Sequence, residues 1–525
     1  MRTVFAFAVV ALAASAPCLA ESPRALSRDA LRDKIRGAWA AQMIGVSYGA
    51  ATEFTALGQI IDGPIVPAPL ANAIDQDDLY VEMTFAEVLD RRGLDATTAD
   101  FGDAFKNTKY RLWHANAAAR RNLHRGVPAV MCGHPAYNVH ADDIDFQIEA
   151  DFIGMMCPGL PRASNEYCQR VGRLMNYGDG LYGGMFIAGM YSAAFFEDDP
   201  RRAVDAGRAC IPAGSPYGQI LGDVLAWSAA EPDDWRSVWR RIEAKWNRGD
   251  ACPEGVERSF NIDAKLNGAY VALGLLYGGG DWQKTMDVAA RCGQDSDCNP
   301  ASALGVLGAI RGFEQLPAPW RDEVARIADV PFSHTRYSFN GIVASTERRA
   351  CEVIGRAGGR VSDAQVEVPP QTAQPATLEL AEFGAPAAVH HAGDEAWQWR
   401  GQWADVHNGS ELVARASDRP GDEATLTFDG TGVALVGELG AEGGRADVYI
   451  DGVKAKLAAD AYVPPETFDE DLWRIFDLPP GQHALRLAIR DDHDSDSRGR
   501  RLVIKRAVAY RKAESGEQKA ESEER

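Results

Sequence analysis

The sequence predicts two folded domains of different class, an all-α bundle followed by an all-β, jelly-roll-like sandwich. The length of 525 residues exceeds what one ordinary hydrophobic core organises. Apolar residues recur with helical spacing from about Leu26 to Val361, and beyond that point they alternate in short runs. A polar, proline-bearing stretch at 362–378 separates the two patterns and predicts a linker.

Helical periodicity supports a bundle over residues 26–361. Segments 28–50 and 78–93 each place apolar side chains on one face, and the second ends in a glycine suited to a helix C-terminus. Segments 183–196 and 267–279 are apolar on most sides, which is typical of helices in the middle of a bundle.

The C-terminal pattern predicts strands. Short alternating runs over 379–512 are separated by Asp-Gly and glycine-rich turns, as in a β-sandwich. The tail 513–525 is charged and lacks aromatic residues, so we expect it to be disordered.

The first 20 residues predict a secretory signal peptide. Arg2 precedes a short apolar run, and small residues lead to cleavage after Ala20. The apolar run is too short to span a bilayer, so we expect a secreted or periplasmic protein without a membrane span. In an oxidising compartment the eight remaining cysteines predict either some disulfides or free buried thiols.

Charge restricts the partners. The chain has 55 basic and 75 acidic residues, a net charge of −20 and a pI near 5.0. Proteins that bind nucleic acid need a basic face, so nucleic acid is excluded as the main partner.

Two acidic pairs precede predicted helices. Asp295 and Asp297 lie in the turn before a helix that has Pro300 in its first turn, and Asp77 and Asp78 precede another. One acid in such a place is explained by helix capping. Two pairs that meet inside a bundle would repel each other and need a counter-charge. The pattern predicts a site for one or two divalent ions, with Mg²⁺ first and Mn²⁺ or Ca²⁺ as alternatives.

Three further segments offer polar side chains to a substrate. Residues 143–152 alternate polar and apolar, which predicts either an exposed strand or a polar wall of a pocket. Segment 176–184 is rich in glycine, which allows close approach of a ligand or plain helix packing. Segment 261–267 combines amides and acids, as sugar-binding sites and polar helix starts both do. The candidate substrate contacts are Asp145, Gln147, Asn176, Asp179, Tyr182, Asn261 and Asp263, and Glu149 and Asp151 are candidate catalytic acids or bases.

Residues 28–312 resemble the ADP-ribosylglycohydrolase (dinitrogenase reductase-activating glycohydrolase-like) family, which has an all-α fold. The run QDDL at 76–79 matches the family's Thr-Asp-Asp-Thr motif, and GQDSDC at 293–298 matches its Gly-x-Asp-Thr-Asp-Thr motif. The run GVSYGAATEF at 45–54 stands at the family's first motif and aligns Glu53 with its glutamate. The resemblance implies a binuclear Mg²⁺-type centre that holds a ribose-like sugar and positions water at the anomeric carbon. The ligands that it implies are Asp77, Asp78, Asp295 and Asp297, with the carbonyl oxygen of Gln76 in place of a threonine.

The departures from the family pattern concern the metal and the substrate. Gln76, Leu79 and Cys298 replace threonines of the motifs, and a neutral thiol is a poor ligand for a hard ion. Acidic side chains over 145–151 replace the family's phosphate-cradling stretch and would repel a diphosphate.

We therefore expect a secreted, metal-dependent glycoside hydrolase whose carbohydrate substrate is not ADP-ribose. Glu53, or a carboxylate from the 145–151 segment, is its expected general base or acid. The alternatives are an ADP-ribosyl-protein hydrolase acting on an N- or O-glycosidic bond, and a non-catalytic glycan-binding protein with a decayed metal site.

The C-terminal half resembles the carbohydrate-binding β-sandwich modules of bacterial glycosidases. Its aromatic residues predict either sugar stacking or core packing, and we favour the core or the domain interface for most of them. These residues are Trp397, Trp399, Trp403, Tyr462 and Trp473.

Overall fold

The computed structural model describes residues 22–463 and 468–512. The predicted signal peptide 1–20 and the predicted tail 513–525 lie outside the described residues. A helical N-terminal domain is followed by antiparallel sheets, so the prediction of an all-α bundle and an all-β domain is confirmed.

The helical domain runs from a short strand, β1 (Arg24–Ser27), to a long final helix. Its helices in the described residues are α1 (Arg28–Gly49), α2 (Asp77–Arg92), α3 (Thr98–Lys106), α4 (His114–His124), α5 (Asp145–Ile148), α6 (Asp151–Met155), α7 (Pro161–Gly172), α8 (Asp179–Ala194), α9 (Pro200–Arg208), α10 (Pro216–Ala230), α11 (Trp235–Trp246), α12 (Ala264–Gly278), α13 (Trp282–Arg291), α14 (Cys298–Arg311), α15 (Ala318–Ile327) and α16 (Phe339–Arg356).

Helices α8, α12 and α14 are buried along almost their whole length, as the apolar segments predicted for the first two. Helix α1 packs directly on α14 through small residues. A Cβ atom added at Gly49 would lie 1.9 Å from the carbonyl oxygen of Ser296, and one at Gly45 would lie 2.3 Å from that of Pro300. The backbones therefore touch, and this contact brings the end of α1 onto the turn that precedes α14.

The C-terminal domain contains two six-stranded antiparallel sheets that enclose one apolar core. One has the order β11-β10-β14-β8-β5 with β12 beside β10, and the other has β13-β9-β15-β7-β6 with β4 beside β15. The strands are β4 (Ala385–His391), β5 (Trp397–Arg400), β6 (Ala404–Asn408), β7 (Glu411–Ser417), β8 (Glu423–Gly430), β9 (Gly432–Leu439), β10 (Arg445–Ile450), β11 (Val453–Lys454), β12 (Ala459–Asp460), β13 (Phe468–Ile475), β14 (Gly481–Ile489) and β15 (Leu502–Arg511).

The segment between the domains lies along the helical domain and carries a strand of its own. Strand β3 (Gln365–Val368), inside the range predicted as a linker, pairs with β1 and with β2 (Arg360–Val361). Further along, the Tyr182 hydroxyl donates to the carbonyl of Thr377 at 2.7 Å and accepts from the amide of Glu379 at 2.6 Å. The sequence analysis predicted a linker here because of the prolines. It missed the short alternation Gln-Val-Glu-Val, which forms a strand with both valines buried.

The sheet that contains β9, β13 and β15 packs against the helical domain. The Tyr510 hydroxyl donates to the carbonyl of Ala251 at 2.8 Å. Arg121 of α4 and Arg474 of β13 both pair with the buried carboxylate of Asp471. Two polar contacts and an apolar patch therefore fix the sandwich to the bundle.

His140 forms a second buried link between the domains. Its Nδ1 lies 2.6 Å from Asp143 Oδ2, and its Nε2 lies 2.8 Å from Glu470 Oε1 of β13. Burial lowers the pKa of His140, but the two carboxylates outweigh it and raise that pKa well above its usual value.

The described residues contain no helix with the length and apolar character that a membrane crossing requires. All eight cysteines in them are free thiols, and all but the half-buried Cys351 are buried, as the second of the two expectations has it. Trp397 and Trp473 are buried in the sandwich core, whereas Trp399 and Trp403 are half-buried beside them.

We predict that Gly49→Ala lowers the free energy of unfolding by about 1–3 kcal/mol, because the added methyl group overlaps the backbone of the turn before α14. The matched control is Gly355→Ala in the exposed last turn of α16, where nothing lies within 4 Å of the added Cβ. Thermal unfolding followed by circular dichroism measures both. Equal stability of the two variants would contradict the close contact.

The contribution of Asp471 to the free energy of unfolding depends on pH. Burial alone would raise its pKa, but the guanidinium groups of Arg474 and Arg121 lower the pKa of Asp471 to about 2. Because the pKa is lower in the folded chain than in the unfolded chain, the stability it contributes is present above about pH 4 and is lost between about pH 4 and 2.

We expect Asp471→Asn to cost about 3–5 kcal/mol at pH 7, because two guanidinium groups stay buried without a partner. Asp469→Asn on the same strand removes only an exposed pair with Lys505 and should cost less than about 1 kcal/mol. Melting temperatures between pH 7 and pH 3 compare the two variants with the unmodified chain. The loss caused by Asp471→Asn should shrink toward the acid end, and a loss independent of pH would contradict this assignment.

Candidate metal centre and active site

The two acidic pairs both lie at helix N-termini. Asp77 and Asp78 form the start of α2, and Gln76 is the residue that precedes the helix. Asp297 precedes α14, and its Oδ1 accepts a hydrogen bond of 3.0 Å from the amide of Cys298. Capping, the simpler explanation of these acids, is therefore present for Asp297.

The structure also brings the distant acids together. Asp78, Asp297 and Cys298 each offer one ligand atom, and these atoms lie within 4.8 Å of one another. The same holds for Glu53, Asp295 and Asp297. Asp297 is common to both groups, so carboxylates from three separate parts of the chain form one acidic cluster.

Backbone pairing places Glu53 in this cluster. The amide of Phe54 donates to the carbonyl of Gln294 at 3.0 Å, and the amide of Gln294 donates to that of Ala56 at 3.0 Å. The Ser296 hydroxyl donates to Thr52 Oγ1 at 2.9 Å. The turn after α1 is thereby tied to the turn before α14, which follows from the close contact between these two helices.

Burial and mutual repulsion dominate the electrostatics of the acidic cluster. Both raise the pKa of Asp77 to about 6 and that of Glu53 to about 8, and the pKa values of Asp78 and Asp295 lie well above their usual range. Within residues 22–463 and 468–512, no lysine or arginine forms an ion pair with any of these carboxylates or with Asp297. Protons or a cation must therefore balance the cluster.

A hard divalent ion fits this donor set. Carboxylate oxygens are the ligands that Mg²⁺ and Mn²⁺ prefer, and Asp295 Oδ1 is buried without a hydrogen-bond partner. The Cys298 thiol lies 3.5 Å from Asp78 Oδ2 and 3.6 Å from Asp297 Oδ1, so its single S–H can donate to either carboxylate. Cys298, which replaces a threonine of the family motif, thus contacts two carboxylates of the cluster.

The sequence analysis missed Glu82, which lies on α2 one turn beyond Asp78. Its carboxylate accepts from the Gln42 side chain and from the amide of Phe152, both at 2.9 Å. Burial, and then the repulsion from Asp151, raise the pKa of Glu82 well above its usual value. The spacing of four residues from Asp78 was the available signal, since it puts both acids on one helix face.

Asp151 belongs to the same interior region. It is fully buried, and its Oδ2 accepts a hydrogen bond of 2.8 Å from the Tyr191 hydroxyl. Burial raises the pKa of Asp151 to about 8. The carboxyl group therefore lies inside the bundle, near enough to Glu82 and Asp78 that, besides burial, it raises their pKa values.

The expectation of a strand around 143–152 is wrong, because the segment forms the short buried helices α5 and α6. Its polar residues alternate with apolar ones because both kinds pack inward. Asp145 accepts hydrogen bonds from the first amides of α4, those of Ala115 at 3.2 Å and Asn116 at 2.8 Å. Glu149 accepts one from the Asn116 side chain, and its second oxygen is buried without a partner.

The other candidate substrate residues make hydrogen bonds inside the fold. Asn176 accepts from the amide of Phe146 at 3.0 Å and donates to the carbonyl of Asp143 at 2.8 Å. Gln147 contacts the Tyr217 hydroxyl at 2.6 Å. These contacts connect helices of the bundle and are sufficient to explain both side chains.

The later candidates hold helix starts and loops. Asp179 accepts from the amide of Tyr217 at 3.2 Å, and Asp263 precedes α12 and accepts from the amide of Lys265 at 2.8 Å. The Asn261 side chain donates to Asn247 Oδ1 at 2.9 Å. Tyr182 is engaged with the interdomain segment, as described above. Of these residues, Asn261 also contacts the turn before α14, because its amide donates to Gln294 Oε1 at 3.1 Å.

An aromatic group that the sequence analysis missed borders the cluster. The rings of Phe54 and Phe260 lie 5.2 Å apart, and His114 stacks on Phe260 at 5.7 Å. Phe260 and Phe54 belong to one small apolar group with Cys298 and Ile148. The acidic cluster thus has an apolar, aromatic side next to it, as sugar-binding sites often do.

The family assignment agrees with this geometry. The model of the ADP-ribosylglycohydrolase family matches residues 27–348. The chain belongs to the ADP-ribosylglycohydrolase family. The match covers all members of the acidic cluster and supports a glycohydrolase-type function, that of a hydrolase acting on glycosyl bonds.

Structure comparison found several similar solved structures. An ADP-ribosylglycohydrolase-related protein complex is similar at 17% identity over 61% of this chain and 99% of the other, with a TM-score of 0.41. The CBM36-1 domain of a multidomain xylanase from the hindgut metagenome of Trinervitermes trinervoides shares 17% identity over 23% of this chain and 94% of the other, with a TM-score of 0.18. A family two carbohydrate esterase from Cellvibrio japonicus shares 17% identity over 23% and 32%, with a TM-score of 0.17. The search of curated proteins returned no match.

We predict that Asp297→Asn weakens Mg²⁺ or Mn²⁺ binding by at least about 100-fold, because Asp297 is common to both ligand groups. Asparagine keeps the helix cap, so the fold should persist. The matched control is Asp281→Asn, which changes the residue that precedes α13 and should leave binding unchanged. Isothermal titration calorimetry measures both, and equal affinities would contradict the metal assignment.

Proposed function

We propose that this protein hydrolyses a glycosidic bond of a neutral glycan or glycoside outside the cytoplasm, with divalent metal at the acidic cluster. The observation that carries the proposal is the convergence of Glu53, Asp78, Asp295 and Asp297. A hard cation at such a group supplies the means to bind sugar hydroxyls and to lower the pKa of water.

The remaining steps belong to the protein's own side chains. Glu53 is exposed, although its carboxylate lies against Asp295 and Asp297, so it can reach both the cluster and a substrate. We assign to Glu53 the acceptance of a proton from the attacking water. Burial and the repulsion from Asp297 and Asp77 raise the pKa of Glu53, and a cation at the cluster would offset that repulsion. Phe54 and Phe260 would contact the apolar face of the sugar. Glu149 and Asp151 are buried and hydrogen-bonded within the fold, so the proposal gives them no proton transfer.

The preference for a neutral substrate rests on charge. Every ionisable side chain that defines the cluster is acidic, and Glu149 adds a further carboxylate near Asp77 and Asp78. A diphosphate would meet repulsion there beyond what one or two divalent ions offset. We propose a location outside the cytoplasm because residues 1–20 predict a secretory signal peptide.

A second candidate function is hydrolysis of ADP-ribosylated protein, which the family match over residues 27–348 favours. A panel of nitrophenyl furanosides and pyranosides, polysaccharides assayed for reducing ends, and an ADP-ribosylated protein separates the candidates. Release of sugar that stops with chelator and in Asp297→Asn supports the proposal. Release of ADP-ribose alone supports the second candidate. No release from any substrate, together with no metal binding, supports a glycan-binding protein with a decayed centre.

We predict that Glu53→Gln lowers kcat by about 100-fold or more while the affinity for Mg²⁺ falls by less than about 10-fold, because the amide keeps an oxygen but cannot accept the proton. Steady-state kinetics and calorimetry on the same preparation test this. Glu382→Gln, outside the cluster, is the control. A loss of metal affinity as large as that in Asp297→Asn would make Glu53 a ligand and remove its role as base.

A further inference from the structure

A second group of metal-ligating side chains lies at the domain interface and shares no residue with the acidic cluster. His140 and Asp143 lie between α4 and α5, His114 begins α4, and Asp250 and Cys252 lie in the loop between α11 and α12. His140, Asp143 and Cys252 have no exposed surface.

Two triads of donors meet at Asp143. His114, His140 and Asp143 each offer an atom within 4.8 Å of the others, and so do Asp143, Asp250 and Cys252. His114 Nδ1 lies 3.9 Å from Asp143 Oδ2. In a tetrahedral zinc site with bonds of about 2.0–2.3 Å, neighbouring ligand atoms are about 3.3–3.8 Å apart. The two triads share Asp143, so one ion bound to its carboxylate could draw ligands from both.

Asp143 Oδ1 is buried and has no hydrogen-bond partner. His114 Nδ1 is also buried without a hydrogen bond, and Glu254 Oε2 lies 3.5 Å from it. A buried polar atom without a partner is costly, so such atoms are rare in folded proteins. Two of them in one group that also contains a buried thiol indicate a ligand that accepts lone pairs, which a metal ion does.

His140 holds the central carboxylate of this group in place. One of its ring nitrogens lies 2.6 Å from Asp143 Oδ2, and the other lies 2.8 Å from the carboxylate of Glu470. Groups that hold a ligand in this way orient it toward a metal. Asp250 accepts from the amides of Cys252 at 2.9 Å and Ile262 at 3.0 Å, which fixes the loop that presents the thiol.

We propose that this interface group binds a borderline-soft divalent ion of the zinc class, with Asp143 as the central ligand, imidazole from His114, and the thiolate of Cys252. Thiolate and imidazole are donors that Zn²⁺ prefers and Mg²⁺ does not. The ion would connect the start of α4 with the loop before α12, and through Glu470 it would strengthen the attachment of the β-sandwich.

Cobalt substitution tests the proposal on the full chain. After removal of metal by chelator, added Co²⁺ should give the near-ultraviolet charge-transfer band of a cobalt–thiolate bond. Cys252→Ser should abolish the band. The matched control is Cys298→Ser, which removes the thiol of the acidic cluster and should leave the band intact. Asp297→Asn should also leave it intact, so failure of the proposed function and failure of this site are distinguishable.

Metal content supplies a second measurement. The purified chain should retain about one zinc per molecule, and Asp143→Asn should weaken zinc binding by about 10–100-fold. Should Cys252→Ser fail to fold, X-ray absorption on zinc-loaded Cys298→Ser should show sulfur at about 2.3 Å. The proposal is overturned if no cobalt–thiolate band forms, if the band depends on Cys298 alone, or if zinc has only oxygen and nitrogen neighbours. In those cases His140 is a purely structural link between Asp143 and Glu470.

Discussion

The constraint that organises the helical domain is the backbone contact between α1 and α14. Because the two helices touch at glycines, the turn that leaves α1 must lie on the turn that enters α14. Carboxylates of both turns then share one small volume with those at the start of α2. Hydrophobic burial elsewhere holds this arrangement against the repulsion between the acids. The site is thus a consequence of helix packing, and the local sequence of each motif matters chiefly for which atoms it presents.

The β-sandwich is joined to the bundle more firmly than an appended binding module needs to be. Its contacts are an apolar patch, a buried carboxylate between two guanidinium groups, and a histidine between two carboxylates. Buried charges of this kind add specificity to an interface because any misaligned arrangement leaves one of them unpaired. The loop that carries Phe260 toward the acidic cluster also touches β15 through Ala251. The sandwich therefore supports one side of the candidate active site.

The sequence predicted the fold class and the main acids, because both have strong local signatures. Helical and alternating periodicity distinguished the domains, and acids before core helices marked Asp77, Asp78, Asp295 and Asp297. Where prediction failed, the residues depend on partners far along the chain. Asp145 was predicted to contact the substrate, and in the structure it accepts hydrogen bonds from the first amides of α4. Glu82 was overlooked within an amphipathic helix, since only tertiary packing sets Gln42 and Asp151 beside it.

The small sheet formed by β1, β3 and β2 has a consequence for biosynthesis. Arg24 of β1 pairs with Val368 of β3, so the first strand of the helical domain meets its partner only after the final helix. Pairing between such distant segments is slow, and the ribosome must deliver both before the sheet can close. In the nascent chain, β1 therefore stays unpaired until β3 has been synthesised. An expression fragment that stops after α16 would lack this closure and expose the edge of its first strand.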